Sequence, residues 1–255
     1  MTMKAEWSSS QYLLFENQRN QPAIDLIKRI SDAAPALIAD LGCGPGNSTS
    51  LLKRSFPQAK VVGIDNSADM IRKAREQYPE LEFISKDLRE LTGRYDLLFS
   101  NACLQWVPMH ETLIPELLSH LNPGGVFAAQ FPMNNAEPLY QIINSVAAEE
   151  RWGFQNVELD YNGALTPHEY FNILSAHCGS FQLWETKYYH DLKNHEAIIE
   201  WVKGTRIRPY LAHLDDAGKQ AFEQEILRRV KEAYPVMANG EVVMCFNRFF
   251  MAGVK

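Results

Sequence analysis

Asp40-Leu41-Gly42-Cys43-Gly44-Pro45-Gly46 closes the first strand-like run of the chain, Ala36–Leu41, and opens a helix-like stretch, Asn47–Ser55. Glycines spaced this closely permit a tight turn and let the backbone approach a ligand that a Cβ would hold off. A dinucleotide fingerprint wants GxGxxG, but here the third glycine comes one residue early and position 47 is asparagine. Pro45 also removes an N–H that a pyrophosphate cradle would use. A GxGxG turn preceded by an acid suits instead a ligand that carries both an ammonium and a carboxylate. Asp40 is then placed to engage the cationic end, and the turn amides and helix N-terminus the anionic groups.

Outward from this turn, β-branched and aliphatic runs alternate with amphipathic stretches. The runs are Ala36–Leu41, Lys60–Asp65, Leu81–Ser85, Tyr95–Ser100 and Gly125–Phe131. Asn47–Ser55, Ser67–Tyr78 and His110–Leu121 lie between them, with apolar residues three and four apart. Ile64-Asp65-Asn66-Ser67 reads as a strand end followed by a helix N-cap at Asn66 or Ser67. Such alternation predicts an α/β fold with a mostly parallel sheet, right-handed crossovers and helices on both faces. Its ligand belongs beyond the carboxyl ends of the strands, near the switch in strand order. Two further strands, Phe181–His190 and Val242–Ala252, bring the expected sheet to seven, and can pair antiparallel at its edge. Between them Glu196–Tyr234 reads as three helices, broken near Arg208-Pro209 and Leu214-Asp215. The expected organisation is one domain over 1–255, with an N-terminal lid or helix region at 1–34, a cofactor-binding core at 35–135, and a helical cap at 194–240 inserted before the last strand.

Composition bounds the rest. A chain of 255 residues, 46% hydrophobic and 22% charged, is ordinary for a globular protein with a full core. A net charge of −6 argues against nucleic acid, despite the local cluster Lys203, Arg206 and Arg208. Cys43, Cys103, Cys178 and Cys245 are scattered, without CxxC or His/Cys spacing, so no metal is expected and a reducing, cytoplasmic setting is. The first residues, MTMKAEWSSSQYLLFENQ, hold no apolar run of signal-peptide or membrane length. A monomer without membrane or nucleic-acid partners is the expectation.

The loop Asp40–Gly46 resembles the first motif of class I S-adenosylmethionine methyltransferases, and further matches follow in order. The resemblance implies a Rossmann-like sheet and S-adenosylmethionine as cofactor. It places Asp40, Gly42, Gly44 and Gly46 against the methionine part, Asp65 with Asn66 at the ribose hydroxyls, and Asp87 with Leu88, after Lys86, at the adenine edge. Asn101-Ala102-Cys103-Leu104-Gln105-Trp106 follows the fourth strand, where that family meets cofactor and acceptor together, and Asn122-Pro123-Gly124-Gly125 resembles its turn before the fifth. From the residues alone, the alternatives are Asp65 as a helix cap, a job that Asn66 or Ser67 can do instead, Asp87 as a solvated loop acid and Asn101 as a loop cap, while Cys43 reads as a small buried filler.

Glu6-Trp7 through Tyr12 and Phe15, Asn20–Leu26, Leu104-Gln105-Trp106, Gln130-Phe131-Pro132, Trp201–Thr205 and Arg208-Pro209-Tyr210 narrow the resemblance to trans-aconitate methyltransferases. It implies methyl transfer to one carboxylate of trans-aconitate or a close tricarboxylate. That family often has arginine near position 21, where this chain has Gln21, so Arg19 is the substitute candidate on the cofactor carboxylate, alongside Tyr12. A carboxylate is ionised at neutral pH and needs no general base, so no catalytic residue is named and alignment is the expected mechanism. Arg208, Arg248, Arg206 and Lys203 are the candidate cations for the unreacting carboxylates. Each has a bland alternative as a solvated or salt-bridged side chain. Tyr210 and Trp106 are candidate pocket walls, and Tyr12 with Trp7 a candidate lid that equally reads as a helix covering core. His110 and His168 read as helix-terminus residues, not bases. Rival readings are a carboxyl methyltransferase for a malonyl group on a carrier protein, and a nicotinamide oxidoreductase, which the glycine spacing disfavours.

Overall fold

Leu37–Leu41 (β1) is buried along nearly its whole length, as a strand flanked on both sides must be, and it pairs in parallel with β2 (Lys60–Asp65) and β4 (Tyr95–Asn101). The computed structural model describes residues 16–156 and 163–255, with backbone alone at 16–19. The sheet has seven strands in the order β3-β2-β1-β4-β5-β7-β6, where β3 is Glu82–Ser85, β5 Leu121–Pro132, β6 Ser180–Leu192 and β7 Val242–Val254. Strands β1 to β5 are parallel, and β7 runs antiparallel to β5, with Val126 opposite Val254 and Pro132 opposite Arg248. The chain therefore moves outward from β1 through β2 to β3, then returns across β1 to β4. The strand order switches between β1 and β4, and their carboxyl ends are Leu41 and Asn101.

The expected seven-stranded, mostly parallel Rossmann-like sheet is the one observed. Its last two strands pair with each other at one end of the sheet, as expected, with β7 between β5 and β6. Strand β5 begins at Leu121, four residues ahead of the sequence expectation. Tyr95 pairs with Leu121 and Leu97 with Val126, so Asn122–Gly125 loops out between two paired stretches, with Gly124 at φ +74. No helix among the described residues is long and apolar enough to cross a membrane.

The chain divides into two compact units. Among the described residues, the larger holds 17–133, 163–186 and 248–255. Its core gathers Ala39, Leu41, Leu98, Phe127, Phe131, Tyr170 and Phe249, among others. Helices α1 (Glu16–Arg29), α2 (Asn47–Ser55), α3 (Ala68–Gln77) and α4 (His110–Ser119) belong to it. So does α6 (Pro167–His177), whose Thr166 and Glu169 form a reciprocal capping box. Helix α1 buries Ala23, Leu26 and Ile27, the pattern of a core helix, which takes that part of the expected lid region into the body of the unit.

Among the described residues, the smaller unit takes in 134–156 and 187–247. Among its described residues are α5 (Pro138–Ala147), α7 (His195–Lys203), α8 (Arg208–Leu211) and α9 (Asp216–Ala233). It is wider than the 194–240 cap expected from sequence. Helix α5 adds Leu139, Ile143 and Val146, spaced four and three apart, to the same apolar cluster as Phe222, Ile226 and Val230 of α9. Phe222 lies at its centre, fully buried, edge-on to Trp152 at 5.1 Å and to Phe154 at 5.6 Å. Phe222→Ala is expected to cost about 3–5 kcal/mol by urea unfolding, the range for deleting a buried aromatic ring; a loss below about 1 kcal/mol would remove it from the centre of this core.

Candidate functional site

Beyond the carboxyl end of β1 the chain turns over its own acid. Gly42 and Cys43 both donate their N–H to the Ile64 carbonyl, at 2.7 and 3.1 Å, and Gly46 donates to Cys43 at 3.0 Å. Gly42 has φ +72, and a Cβ there would stand 2.1 Å from the Cys103 sulfur, so both conformation and space require glycine. Gly44, at φ +54, has nothing within 4 Å on its Cβ side and leaves an open backbone face. Gly46 caps α2, and a Cβ there would come within 2.9 Å of Phe83 and Tyr78.

Asp40 is fully buried beneath this turn. Its Oδ2 accepts from Ser48 Oγ at 2.7 Å and Thr49 Oγ1 at 2.6 Å, while Oδ1 has no hydrogen-bond partner. Burial pushes its pKa up to about 6, against the two hydroxyls, and the charge of Asp65 adds to the rise. The expected direct contact between Asp40 and a cationic ligand group is thereby corrected. The side chain points into the protein, toward Ser48 and Thr49.

Asp65 ends β2 and joins the loop to the next turn. Its Oδ2 accepts from Gly44 N at 3.0 Å and its Oδ1 from Ser67 N at 2.8 Å. Burial raises its pKa more than these two N–H groups lower it. Each oxygen keeps a further lone pair, which suits a vicinal diol. Ser67, not Asn66, caps α3, and Asn66 is exposed. Asp87 caps a 3-10 turn, Leu88–Glu90, and grips Arg89 through both oxygens, at 3.0 and 2.6 Å. Arg89 is the more exposed member of this pair, so it can give way to a ligand at modest cost. The side chain of Leu88 belongs to the core.

At the end of β4, the Asn101 Oδ1 accepts from Gln130, a fully buried residue that sequence reading did not single out as a site residue. Trp106 ends the 3-10 turn Leu104–Trp106 and is half-buried. Arg248 is buried on β7 opposite Pro132, at the carboxyl end of β5. The larger unit thus brings the glycine loop, Asp65, Asn101, Trp106 and Arg248 to one edge of its sheet. His110, expected at a helix terminus, does begin α4 but is fully buried, bonded to Tyr170 and to the Leu104 carbonyl. His168 is an exposed residue of α6's first turn.

In the smaller unit, Lys203 is paired with Glu200 and Glu223, both at 2.9 Å. Arg206 donates to Asn144 at 2.6 Å and lies over the Tyr140 ring. Arg208 starts α8, half-buried. Tyr210 is a core residue, its ring 5.1 Å from Phe154 and 5.6 Å from Phe222, which corrects the reading of it as a pocket wall. Arg19 lies in α1, where only backbone is described; Tyr12 and Trp7 fall outside the described residues. Gln21 donates within α1 to Asp25 at 2.8 Å.

The residues fit a ligand with a cationic centre and a ribose-like diol: an open glycine backbone, buried negative charge beneath it, and a carboxylate with lone pairs to spare. A sequence profile described as a methyltransferase domain matches residues 38–125. The chain is 41% identical to "Trans-aconitate 2-methyltransferase" of Rhodopseudomonas palustris (strain BisB5), over 98% of this chain and all of that one. It is 39% identical to the protein of the same name from Escherichia coli (strain K12 / DH10B), over 97% of each. The crystal structure of the YcgJ protein from Bacillus subtilis shares the fold, with a TM-score of 0.60 at 14% identity, over 92% of this chain and 98% of that one.

The Asp40 carboxyl sets a pH dependence. With its folded pKa raised to about 6, its contribution to stability is present at low pH and is lost as pH rises through 6. A cationic ligand favours the ionised form, so its binding opposes that protonation. Affinity for S-adenosylmethionine, measured by calorimetry, is expected to fall by up to about tenfold from pH 7 to pH 5, and Asp40→Asn to flatten that dependence.

Proposed function

The chain belongs to the trans-aconitate 2-methyltransferase family, and on that premise we propose that it moves a methyl group from S-adenosylmethionine to one carboxylate of trans-aconitate. The products are a monomethyl ester and S-adenosylhomocysteine. The observation that carries the reading is the open glycine loop at the switch in strand order, over the buried Asp40 and tied to Asp65. The full-length identity to named relatives extends it to the acceptor. These relatives favour neither a nicotinamide cofactor nor a carrier-protein substrate.

When bound, S-adenosylmethionine supplies a methyl on a sulfonium: a carboxylate oxygen lone pair forms the new O–C bond and the C–S pair returns to sulfur. In this reading Asp65 accepts the ribose hydroxyls with the lone pairs that Gly44 and Ser67 leave free. Gly44 offers its backbone face to the methionine part, and the Asp40 charge favours the cationic centre. Asp87 serves the adenine side by exchanging its solvated partner Arg89. Arg248 takes an unreacting carboxylate, for which a guanidinium fork is suited. Trp106 and its turn wall the acceptor. No group needs to remove a proton, because the acceptor is already ionised. The protein's work is alignment and exclusion of water, and orientation alone lowers such barriers by several kcal/mol.

The test is a methyl-transfer assay across trans-aconitate, cis-aconitate, isocitrate and citrate. Trans-aconitate is expected to give the highest kcat/KM, and no ester from any of the four would overturn the reading. Asp65→Ala is expected to abolish the rise in Tm that S-adenosylhomocysteine gives, each lost charged hydrogen bond being worth roughly 1.5–3 kcal/mol. Near-normal stabilisation would take Asp65 out of the ribose site. Arg248→Lys keeps the charge but loses the fork, and is expected to raise the acceptor KM by roughly ten- to a hundredfold while cofactor affinity holds. An unchanged KM would discard Arg248 as the carboxylate's partner.

A further inference from the structure

The segment after β4 carries backbone strain at both ends. Ala102 (φ 54) and Met109 (φ 62) are the only non-glycine residues with positive φ among those described. L-residues adopt that conformation at a cost, and it persists where surrounding structure over-determines it. Here the ties are visible. Ala102 N donates to Gln130 O at 2.8 Å, Gln105 Nε2 to Ala102 O at 2.8 Å, and Gly163 N to Gln105 O at 3.0 Å. Within the turn, Trp106 N donates to Cys103 O and Val107 N to Leu104 O.

The remaining tie is the buried His110. Its Nε2 lies 2.9 Å from the Leu104 carbonyl, which only accepts, so Nε2 carries the proton. Its Nδ1 is bonded to the Tyr170 hydroxyl. That hydroxyl oxygen accepts from Leu165 N at 3.0 Å, and its own proton goes to Nδ1. The Val107 carbonyl also bears on the ring and, with the charge of Glu111, favours its protonated form, but burial outweighs both. With the ring neutral, the run Leu165 N–H to Tyr170 O–H to His110 to Leu104 C=O has one direction, with Nε2 protonated. Burial agrees with this: it lowers the His110 pKa and raises that of Tyr170, so the ring stays neutral and the phenol keeps the proton it donates. The Tyr170 ring is held between Phe131 and Phe249, at 5.7 and 5.3 Å.

We propose that His110 is a positioning residue: locked in its Nε2–H tautomer by Tyr170, it holds the Leu104–Trp106 turn, between the strained Ala102 and Met109, where the acceptor is aligned. This rests on the reading of that turn as the acceptor's wall. His110 touches neither substrate nor cofactor; it acts through the Leu104 carbonyl.

Two variants separate the hydrogen bond from bulk. His110→Leu keeps an apolar volume and loses both bonds, while His110→Gln can restore a donor near the position of Nε2. A misplaced turn costs alignment, so His110→Leu is expected to lower kcat by about tenfold or more, with His110→Gln recovering most of it. The affinity for S-adenosylhomocysteine is expected to hold within about twofold in both, because the Leu104 carbonyl is no part of the cofactor cradle. Tyr170→Phe, which keeps the ring stack, is expected to lower kcat in the same direction. The wild type and the Tyr170→Phe variant are also compared without turnover, by nitrogen NMR of the imidazole and by amide exchange over residues 103–107. The wild type is expected to show a neutral ring protonated at Nε2 from pH 6 to 8, and Tyr170→Phe to exchange faster at the turn. A ring protonated at Nδ1, an imidazolium at pH 7, or unchanged exchange in Tyr170→Phe would overturn the clamp whatever the acceptor proves to be. Equal kcat in folded His110→Leu and wild type would overturn its role in alignment.

Discussion

The buried carboxylate of Asp40, held by the hydroxyls of Ser48 and Thr49, is the constraint on which the site depends. It fastens the last residues of a central strand to the first turn of the helix that follows. The residues between, Leu41 to Gly46, have to arch over it, and that arch is the glycine loop. Removing an ionised carboxylate from water is costly, and two hydroxyl donors offset only part of the cost. The remainder appears as the raised pKa. A site that holds this unneutralised charge beneath an open backbone is prepared for a cation.

The same field explains what lies around the loop. Asp65 stands close enough to raise the pKa of Asp40, and both acids together push the Cys43 and Cys103 thiols upward, on top of their burial. Thiolate is the nucleophilic form, so these sulfurs stay protonated and inert. Their use is spatial. The Cys103 sulfur occupies the space against Gly42, where a Cβ would be, and Cys43 packs with Phe83 and Ile71 under the loop.

The parallel strands and the cofactor loop were legible because each carries a local signal. Lys60–Asp65 and Asn47–Ser55 are found with the bounds their patterns imply, since a buried run and an amphipathic run announce themselves within a few residues. What was not legible depends on partners distant in sequence. Nothing local in Pro138–Ala147 says that its apolar face belongs with α9, and nothing in Val242–Val254 says that it enters between β5 and β6. The same holds in the site. Asp40 opens the glycine motif itself, and Asp65 ends the next strand, where the family resemblance, not the residue alone, singled it out. His110 and Tyr170 are sixty residues apart, and their bond is invisible until the core that joins them is seen. Tyr210 misled because an aromatic beside an arginine suits a pocket wall as well as a core.

A carboxylate acceptor changes what a buried histidine near the reaction can usefully do. With the acceptor ionised at neutral pH, a base has no proton to remove, and a positive imidazolium would compete for the very carboxylate that has to attack. A ring kept neutral by burial and by a one-way hydrogen-bond run avoids both problems. Its two nitrogens are then free to act as struts, one fixed by Tyr170 and the other fixing Leu104. Strain at Ala102 and Met109 is tolerable for the same reason: where the barrier responds to the placement of oxygen, carbon and sulfur along one line, rigidity in the wall contributes more than chemistry in it.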